Sequence, residues 1–361
     1  MTSRITTGLR RPGVASALWA ALLFGVGTPL AKALLGRLDP WLLAGLLYLG
    51  SGLGLSAYRW WQGSPAPRLT GHEWPWLLAA VALGGGLAPV LLMLGLAATP
   101  ASSASLLLNA EAVFTALLAW FVFRENFDRR IAVGMLAIVA GAVILSWPPS
   151  GAPLLSSLAP GLWILGACAA WALDNNLTRK VSLADAAWIA SVKGLAAGSV
   201  NLALALALGA AWPALAQAAA AMLVGCFAYG LSLALFVLGL RHLGTARTGA
   251  YFSLAPFAGA LTALLLLDEP LTWPLLAAGA LMALGVWLHL SEHHSHEHHH
   301  ALLEHEHEHE HDEHHQHEHG QADGATVPLR HSHWHRHEPL THSHAHFPDA
   351  HHQHEHASPP H

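Results

Sequence analysis

A carboxylate in the middle of an apolar run is the first residue to explain. Glu111 stands near the centre of Ala101–Phe123, where a bare charge would cost about 2.5–3.5 kcal/mol on insertion scales. It is expected to face the protein interior as a protonatable or cation-binding group on a solute pathway, although a hydrogen-bonded packing residue near a helix bend would look the same. A second polar knot, Asp174-Asn175-Asn176-Leu177-Thr178, sits inside another apolar run, and the spacing of four puts Asp174 and Thr178 on one helix face. Lys193, in the middle of the next run, is the natural counter-charge for Asp174, which leaves two readings open: a structural ion pair or a substrate site. Ser102, Ser105 and Asn109 form a narrow polar stripe, with Glu111 pointing roughly the opposite way. Tyr251 and Lys32 are weaker candidates, the first as an aromatic packing residue and the second as a lysine that snorkels to a membrane face. The expected pathway set is Glu111, Asp174, Asn175, Asn109, Lys193 and Tyr251.

A different chemistry begins at Ser291, beyond which lie 26 of the chain's 29 histidines. Neutral imidazole binds Ni, Zn, Co and Cu well, and carboxylates between the histidines add oxygen ligands. The expected ligands are His305, His307, His309, His311, His314, His315, His317 and His319, with His331, His333, His335 and His337 in a second cluster. No apolar period survives in this tail, so it cannot bury a core and is expected to be disordered. It would collect or sense divalent transition metal, or act as a metal buffer that turns cationic below about pH 6.5. No cofactor is required for either role.

The elements that must position these groups are long apolar runs. Hydrophobic residues make up 53% of the chain and charged ones 11%, even with the polar tail included. Ten runs follow one another: Val14–Leu35, Trp41–Tyr58, Trp74–Ala97, Ala101–Phe123, Ile131–Trp147, Gly161–Val181, Ala187–Gly209, Ala214–Leu240, Thr245–Leu267 and Trp273–Leu290. About twenty residues cross roughly 30 Å of hydrocarbon as a helix, so an all-α membrane protein with ten spans is expected. Cys168 and Cys226 both lie inside apolar runs and read as small buried side chains rather than a disulfide. Arg59, Arg68, Arg124, Arg129, Arg130, Arg179, Lys180, Arg241 and Arg247 all fall on one side if the spans alternate, which places both termini in the cytoplasm of an inner-membrane protein.

The spans are also duplicated. Gly95–Leu145 returns 144 positions later as Gly239–His289, with Gly95/Gly239, Ala116/Ala260, Glu125/Glu269 and Gly141/Gly285 among the matched residues. Five spans per copy is an odd number, so the second copy must enter the membrane from the opposite side. Inverted repeats of this kind are a known basis of alternating access. The expected organisation is a cytoplasmic N-terminus at 1–13, a first repeat at 14–147, a linker at 148–160, a second repeat at 161–290 and the His-rich cytoplasmic tail at 291–361.

The segments EAVFTALLAWFVFRENFDRRIAVGMLAIVAGAVIL and LAPFAGALTALLLLDEPLTWPLLAAGALMALGVWL resemble the two EamA repeats of the drug/metabolite transporter superfamily. LWAALLFGVGTPLAK and LWILGACAAWALDNNLTRK resemble the helices that open those repeats. The resemblance covers about residues 14–290 and implies a transporter of amino acids, nucleotide-type metabolites, drugs or other small solutes, often outward. Two features depart from it: the second acidic turn reads Leu267-Asp268-Glu269-Pro270 in place of a Gly-Glu, and the histidine tail is additional.

No P-loop, catalytic triad or HExxH motif is present, so neither an ATP-driven pump nor an enzyme is indicated. The expected function is a secondary active exporter carrying a divalent transition metal or a small organic metabolite such as an amino acid. The alternative is a membrane-anchored metal-binding buffer or sensor without transport. Expected partners are the lipid bilayer and the solute or ion; a homodimer stays open and nucleic acid is not among them. Deleting residues 291–361 is expected to abolish high-affinity Ni, Zn or Co binding, and calorimetry on the full and shortened chains checks this.

Overall fold

In hydrocarbon a chain has no water to satisfy its amides and carbonyls, so apolar runs of this length fold as helices. The computed structural model describes residues 12–64, 67, 71–123, 129–147, 153–179, 181, 185–243 and 245–290, together with 295–300, 303–309, 331–337 and 340–345 of the tail. Among the described residues, ten helical spans, four of them interrupted, fill the body. The first is Pro12–Leu35, the second Pro40–Gln62, the fifth Arg129–Ser146, the sixth Leu154–Arg179, the seventh Ala186–Ala207 and the tenth Trp273–Leu290. The other four are interrupted. The third runs as Trp74–Ala80, a π-helical segment Val81–Leu87 and Ala88–Ala98; the eighth as Leu215–Val224, a π-helical segment Gly225–Leu231 and Ser232–Leu243. The fourth breaks between Ala101–Leu107 and Ala110–Phe123, and the ninth between Thr245–Phe252 and Ala255–Leu266. Among the described residues, eight helical stretches are long and apolar enough to cross a membrane, and Ala255–Leu266 and Trp273–Leu288 are shorter apolar helices. The sixth helix starts inside the expected 148–160 linker, ahead of the apolar part of the span.

The interruptions keep the frame seen in the sequence. Val81 and Gly225 open the two π-helical segments, and Ala101 and Thr245 open the two broken spans, each pair 144 positions apart. Packing follows the same symmetry. The second span lies along the seventh and the fifth along the tenth. The first packs on the later halves of the eighth and ninth, as the sixth does on the later halves of the third and fourth. The register is antiparallel: Gly45 meets Asn201 and Leu202, Gly198 meets Leu49, and Gly52 meets Gly194 and Leu195. Gly141 faces Met282 while Gly285 faces Gly134 and Ile138, so the fifth and tenth spans also run oppositely. Two copies that meet antiparallel along equivalent spans are inverted repeats, as five spans per copy require. Glycines at these crossings let the backbones approach closely, which is how helices pack where lipid removes the hydrophobic drive.

Capping fixes the span ends. The Asp39 carboxylate accepts from the amides of Trp41 (2.9 Å) and Leu42 (3.2 Å), and Asp185 does the same for Ala187 (2.8 Å) and Trp188 (3.2 Å) at the start of the seventh span. Gly63 ends the second span and Gly209 follows the seventh, both with positive φ (65° and 92°). Asp268 takes φ 50° in the turn after the ninth span, a left-handed position where glycine is the easy choice and Asp is tolerated. This accounts for the Asp268-Glu269 departure from the Gly-Glu pattern.

The tail forms a separate unit, 293–346. Its backbone pairs antiparallel in two ladders, Ser295–His300 with Leu340–Ala345 and Leu303–His309 with His331–His337. The sequence gives these segments no apolar face to bury, and a two-stranded ladder without one is marginal in water. His311, His314, His315, His317 and His319 lie outside the described residues, as do the side chains of the other tail histidines.

The Arg59 guanidinium donates to the Asp185 carboxylate and ties the end of the second span to the start of the seventh. Burial raises the Asp185 pKa, but the Trp188 amide, the Arg59 guanidinium and the Ala187 amide outweigh it and hold the carboxyl below its ordinary 3.8. A depressed carboxyl contributes stability above its unfolded pKa and loses it as pH falls toward the folded value. Asp185→Ala is expected to cost about 0.5–2 kcal/mol at neutral pH, mostly from the lost cap, because the 40% exposed carboxylate is screened. In thermal melts of the purified protein the gap to wild type should narrow below about pH 4.

Candidate functional site

The site is built where the third span loses its regular hydrogen bonding. The π-helical segment contains Gly84-Gly85-Gly86, and its carbonyls take outside donors. The Tyr48 hydroxyl (2.7 Å) and the Trp171 indole (3.1 Å) both donate to the Gly84 carbonyl. The Asn201 amide donates to Gly85 (3.3 Å) and Gly86 (3.1 Å). Three spans, the second, sixth and seventh, are thereby fixed around the third. A Cβ at Gly84 would collide with the Asp174 carboxylate, so a glycine is needed for that side chain to fit.

Asp174 is buried and paired. Lys193 Nζ donates to both carboxylate oxygens at 2.6 Å and approaches Thr178 Oγ1 at 3.3 Å, while the Thr178 hydroxyl donates to Asp174 Oδ1 at 3.0 Å. The sixth and seventh spans thus bring together the acid, the lysine and the threonine of the expected set. Both residues are buried, and each neutralises the other.

Glu111 is held differently. It sits in the first turn after the break in the fourth span, and its Oε1 accepts from the Asn175 side-chain amide at 2.8 Å. Asn175 is on the exposed face of the sixth span next to Asp174, so the two carboxylates belong to neighbouring clusters. No cation pairs with Glu111 among the described residues. Asn109 is buried in the break itself and donates to the Leu106 carbonyl at 2.9 Å, so Ser102, Ser105 and Asn109 do not share one unbroken helix face. Tyr251 is half-buried just ahead of the break in the ninth span and joins neither cluster through the described contacts.

Aromatic rings that sequence reasoning did not single out surround the same region. Phe24 of the first span packs against Trp171, Tyr229 and Phe252 with centroids at 6.2, 5.7 and 5.4 Å, and Tyr48 packs on Tyr229 at 5.7 Å. Trp171 is one helical turn before Asn175, which sets this cluster beside the Glu111 contact. The triple glycine was the one available signal; Tyr48 and Asn201 carry none. Lys32 and Glu269 were also underread. Lys32 Nζ donates to the carbonyls of Leu96 (2.7 Å) and Ala97 (3.0 Å) at the end of the third span. Glu269 accepts from the amides of Ala101 (2.6 Å) and Ser102 (2.9 Å) at the start of the fourth. Each charge complements a helix end of opposite sign.

Comparison with known proteins matches residues 11–147 and 159–291 to the EamA-like transporter family. The chain belongs to that family. EamA-family proteins are membrane transporters, and this chain is a multi-pass membrane transporter of the drug/metabolite type. An uncharacterized transporter of Methanothermobacter thermautotrophicus is 29% identical over 292 residues, 76% of this chain and 85% of that protein. The uncharacterized transporter YvbV of Bacillus subtilis is 26% identical over 276 residues, 74% and 88% of the two chains. ArnE of Pseudomonas fluorescens, described as a probable 4-amino-4-deoxy-L-arabinose-phosphoundecaprenol flippase subunit, is 38% identical over 106 residues, 29% of this chain and 91% of that one. A crystal structure of TM-score 0.60 and 19% identity, covering 76% of this chain and 95% of that one, shares the EamA fold.

Removing one member of the Asp174–Lys193 pair leaves a buried charge alone, at a cost of about 3–5 kcal/mol. Lys193→Met or Asp174→Asn is expected to lower the melting temperature sharply, and the double variant to recover most of the loss. Thermal unfolding of the three variants in detergent checks this.

Proposed function

We propose that this transporter is a proton-coupled secondary exporter of a small organic solute such as an amino acid, working by alternating access. One observation carries the reading: Glu111 is an intramembrane carboxylate held by a neutral amide rather than by a cation. An acid so placed can exchange a proton for a positively charged group of the cargo, whereas Asp174 already has Lys193. The Asn175 amide on Glu111 and the aromatic cluster that includes Trp171, one helical turn from Asn175, suit an ammonium flanked by apolar surface.

On the positive-inside rule, the basic loops favour the Arg59–Asp185 face as the cytoplasmic one, with both termini on that side and the Lys32–Glu269 face outward. The histidine tail then lies in the compartment from which an exporter loads. A divalent transition metal as cargo, delivered by tail histidines, is the second reading, and the density of imidazole in residues 291–361 favours it.

Glu111→Gln keeps the shape and the hydrogen bond but cannot release a proton. It is expected to insert normally and to lose gradient-driven transport in membrane vesicles, tested with amino acids and, separately, with Ni, Co and Zn salts. Wild-type rates in that variant contradict the proposal.

A further inference from the structure

The two repeats are equivalent in sequence frame but not in contact, and the difference falls at one place. On the Lys32–Glu269 face the first, fourth and ninth spans are tightly closed. A Cβ at Gly259 would lie 2.6 Å from Ser105 Oγ and 2.8 Å from the Gly25 carbonyl oxygen, and all three residues are buried. Moving each by 144 positions gives their counterparts: Gly25 becomes Ala169, Ser105 becomes Gly249 and Gly259 becomes Thr115. There the closure is missing. Thr115 and Gly249 are exposed, and a Cβ at Gly249 would meet nothing within 4 Å among the described residues. Ala169 lines an apolar groove of about 210 Å³ between the fourth and sixth spans, together with Phe114, Leu117, Leu118, Phe121 and Leu173. The later half of the ninth span packs closely on the early half of the fourth, whereas among the described residues the later half of the fourth has at most a marginal contact with the early half of the ninth.

We propose that the oppositely open state of this transporter is closed by Thr115 seating against Gly249, with the sixth span at Ala169 drawn onto the fourth. The inference rests on the transport reading above. Its physical support is a reciprocal fit. In the closed contact Ser105 of the fourth span is the knob and Gly259 of the ninth the hole; in the open one Thr115 of the fourth is the knob and Gly249 of the ninth the hole. Each interface keeps one small side chain opposite a glycine, so both can close without overpacking. Ala169 carries one methyl more than Gly25, so the second closure is slightly wider than the first. The present closure is also not at its ease: Ser105 Oγ is buried and has no hydrogen-bond partner among the described residues, a penalty that opening relieves.

The test uses the full chain in membranes. Gly249→Leu fits the open structure and should insert with wild-type thermal stability, yet block the second closure and lower transport by about tenfold or more, the scale on which one overpacked side chain shifts a two-state equilibrium. Gly249→Thr should act alike, and adding Thr115→Gly should restore transport by exchanging knob and hole. In a background with Cys168 and Cys226 replaced by Ala, a Thr115→Cys, Gly249→Cys pair should form an oxidative cross-link when a proton gradient and cargo drive cycling. Wild-type transport by Gly249→Leu, with no cross-link during measured cycling, overturns the proposal. If the wild type moves no solute and the pair still cross-links, the closure stands and the transport reading fails instead.

Discussion

Everything in the body depends on satisfying backbone polar groups where water is absent. A regular helix does this by itself, and each interruption creates a debt that a side chain from another span must settle. The π-helical segment of the third span presents the carbonyls of Gly84, Gly85 and Gly86, and the donors that answer them, Tyr48, Trp171 and Asn201, come from three different spans. The turn between the third and fourth spans is answered by Lys32 on one helix end and Glu269 on the other. Polar side chains are therefore concentrated around the interruptions, and the Glu111–Asn175 and Asp174–Lys193 contacts lie in the same neighbourhood.

The two carboxylates differ in what surrounds them, and that difference separates support from exchange. Asp174 is neutralised by Lys193 and Thr178 beneath the glycines of the third span, so it stiffens the junction of the sixth and seventh spans. Glu111 follows a helix break, accepts from an exposed amide and precedes Phe114, a residue of the apolar groove, by one helical turn. A group in that position can change its protonation without leaving a buried cation unpaired.

Much of this was legible in the sequence because it depends on local pattern. The ten runs, the 144-residue repeat and its inversion follow from hydropathy and an odd span count, and the Asp174–Lys193 pair from the expense of lone charges in lipid. The contacts of Tyr48 and Asn201 were not legible, since they join residues far apart in sequence and depend on a change of helix type that only Gly84-Gly85-Gly86 hints at. Glu269 was matched to Glu125 as a repeat marker, but its role as a cap on Ala101 and Ser102 needs the ninth and fourth spans side by side. The polar stripe of Ser102, Ser105 and Asn109 assumed an unbroken helix, and the break before Ala110 ends it.

The central claim is that Glu111 trades a proton for cargo, and proton release on cargo binding tests it most directly. Purified full-length protein in a weakly buffered detergent solution with a pH-sensitive dye would be titrated with amino acids one at a time, with binding followed in parallel by calorimetry. The account predicts that a solute which binds also releases protons, and that the release disappears when position 111 is Gln. Binding with no proton release at any pH where the protein is folded would contradict it.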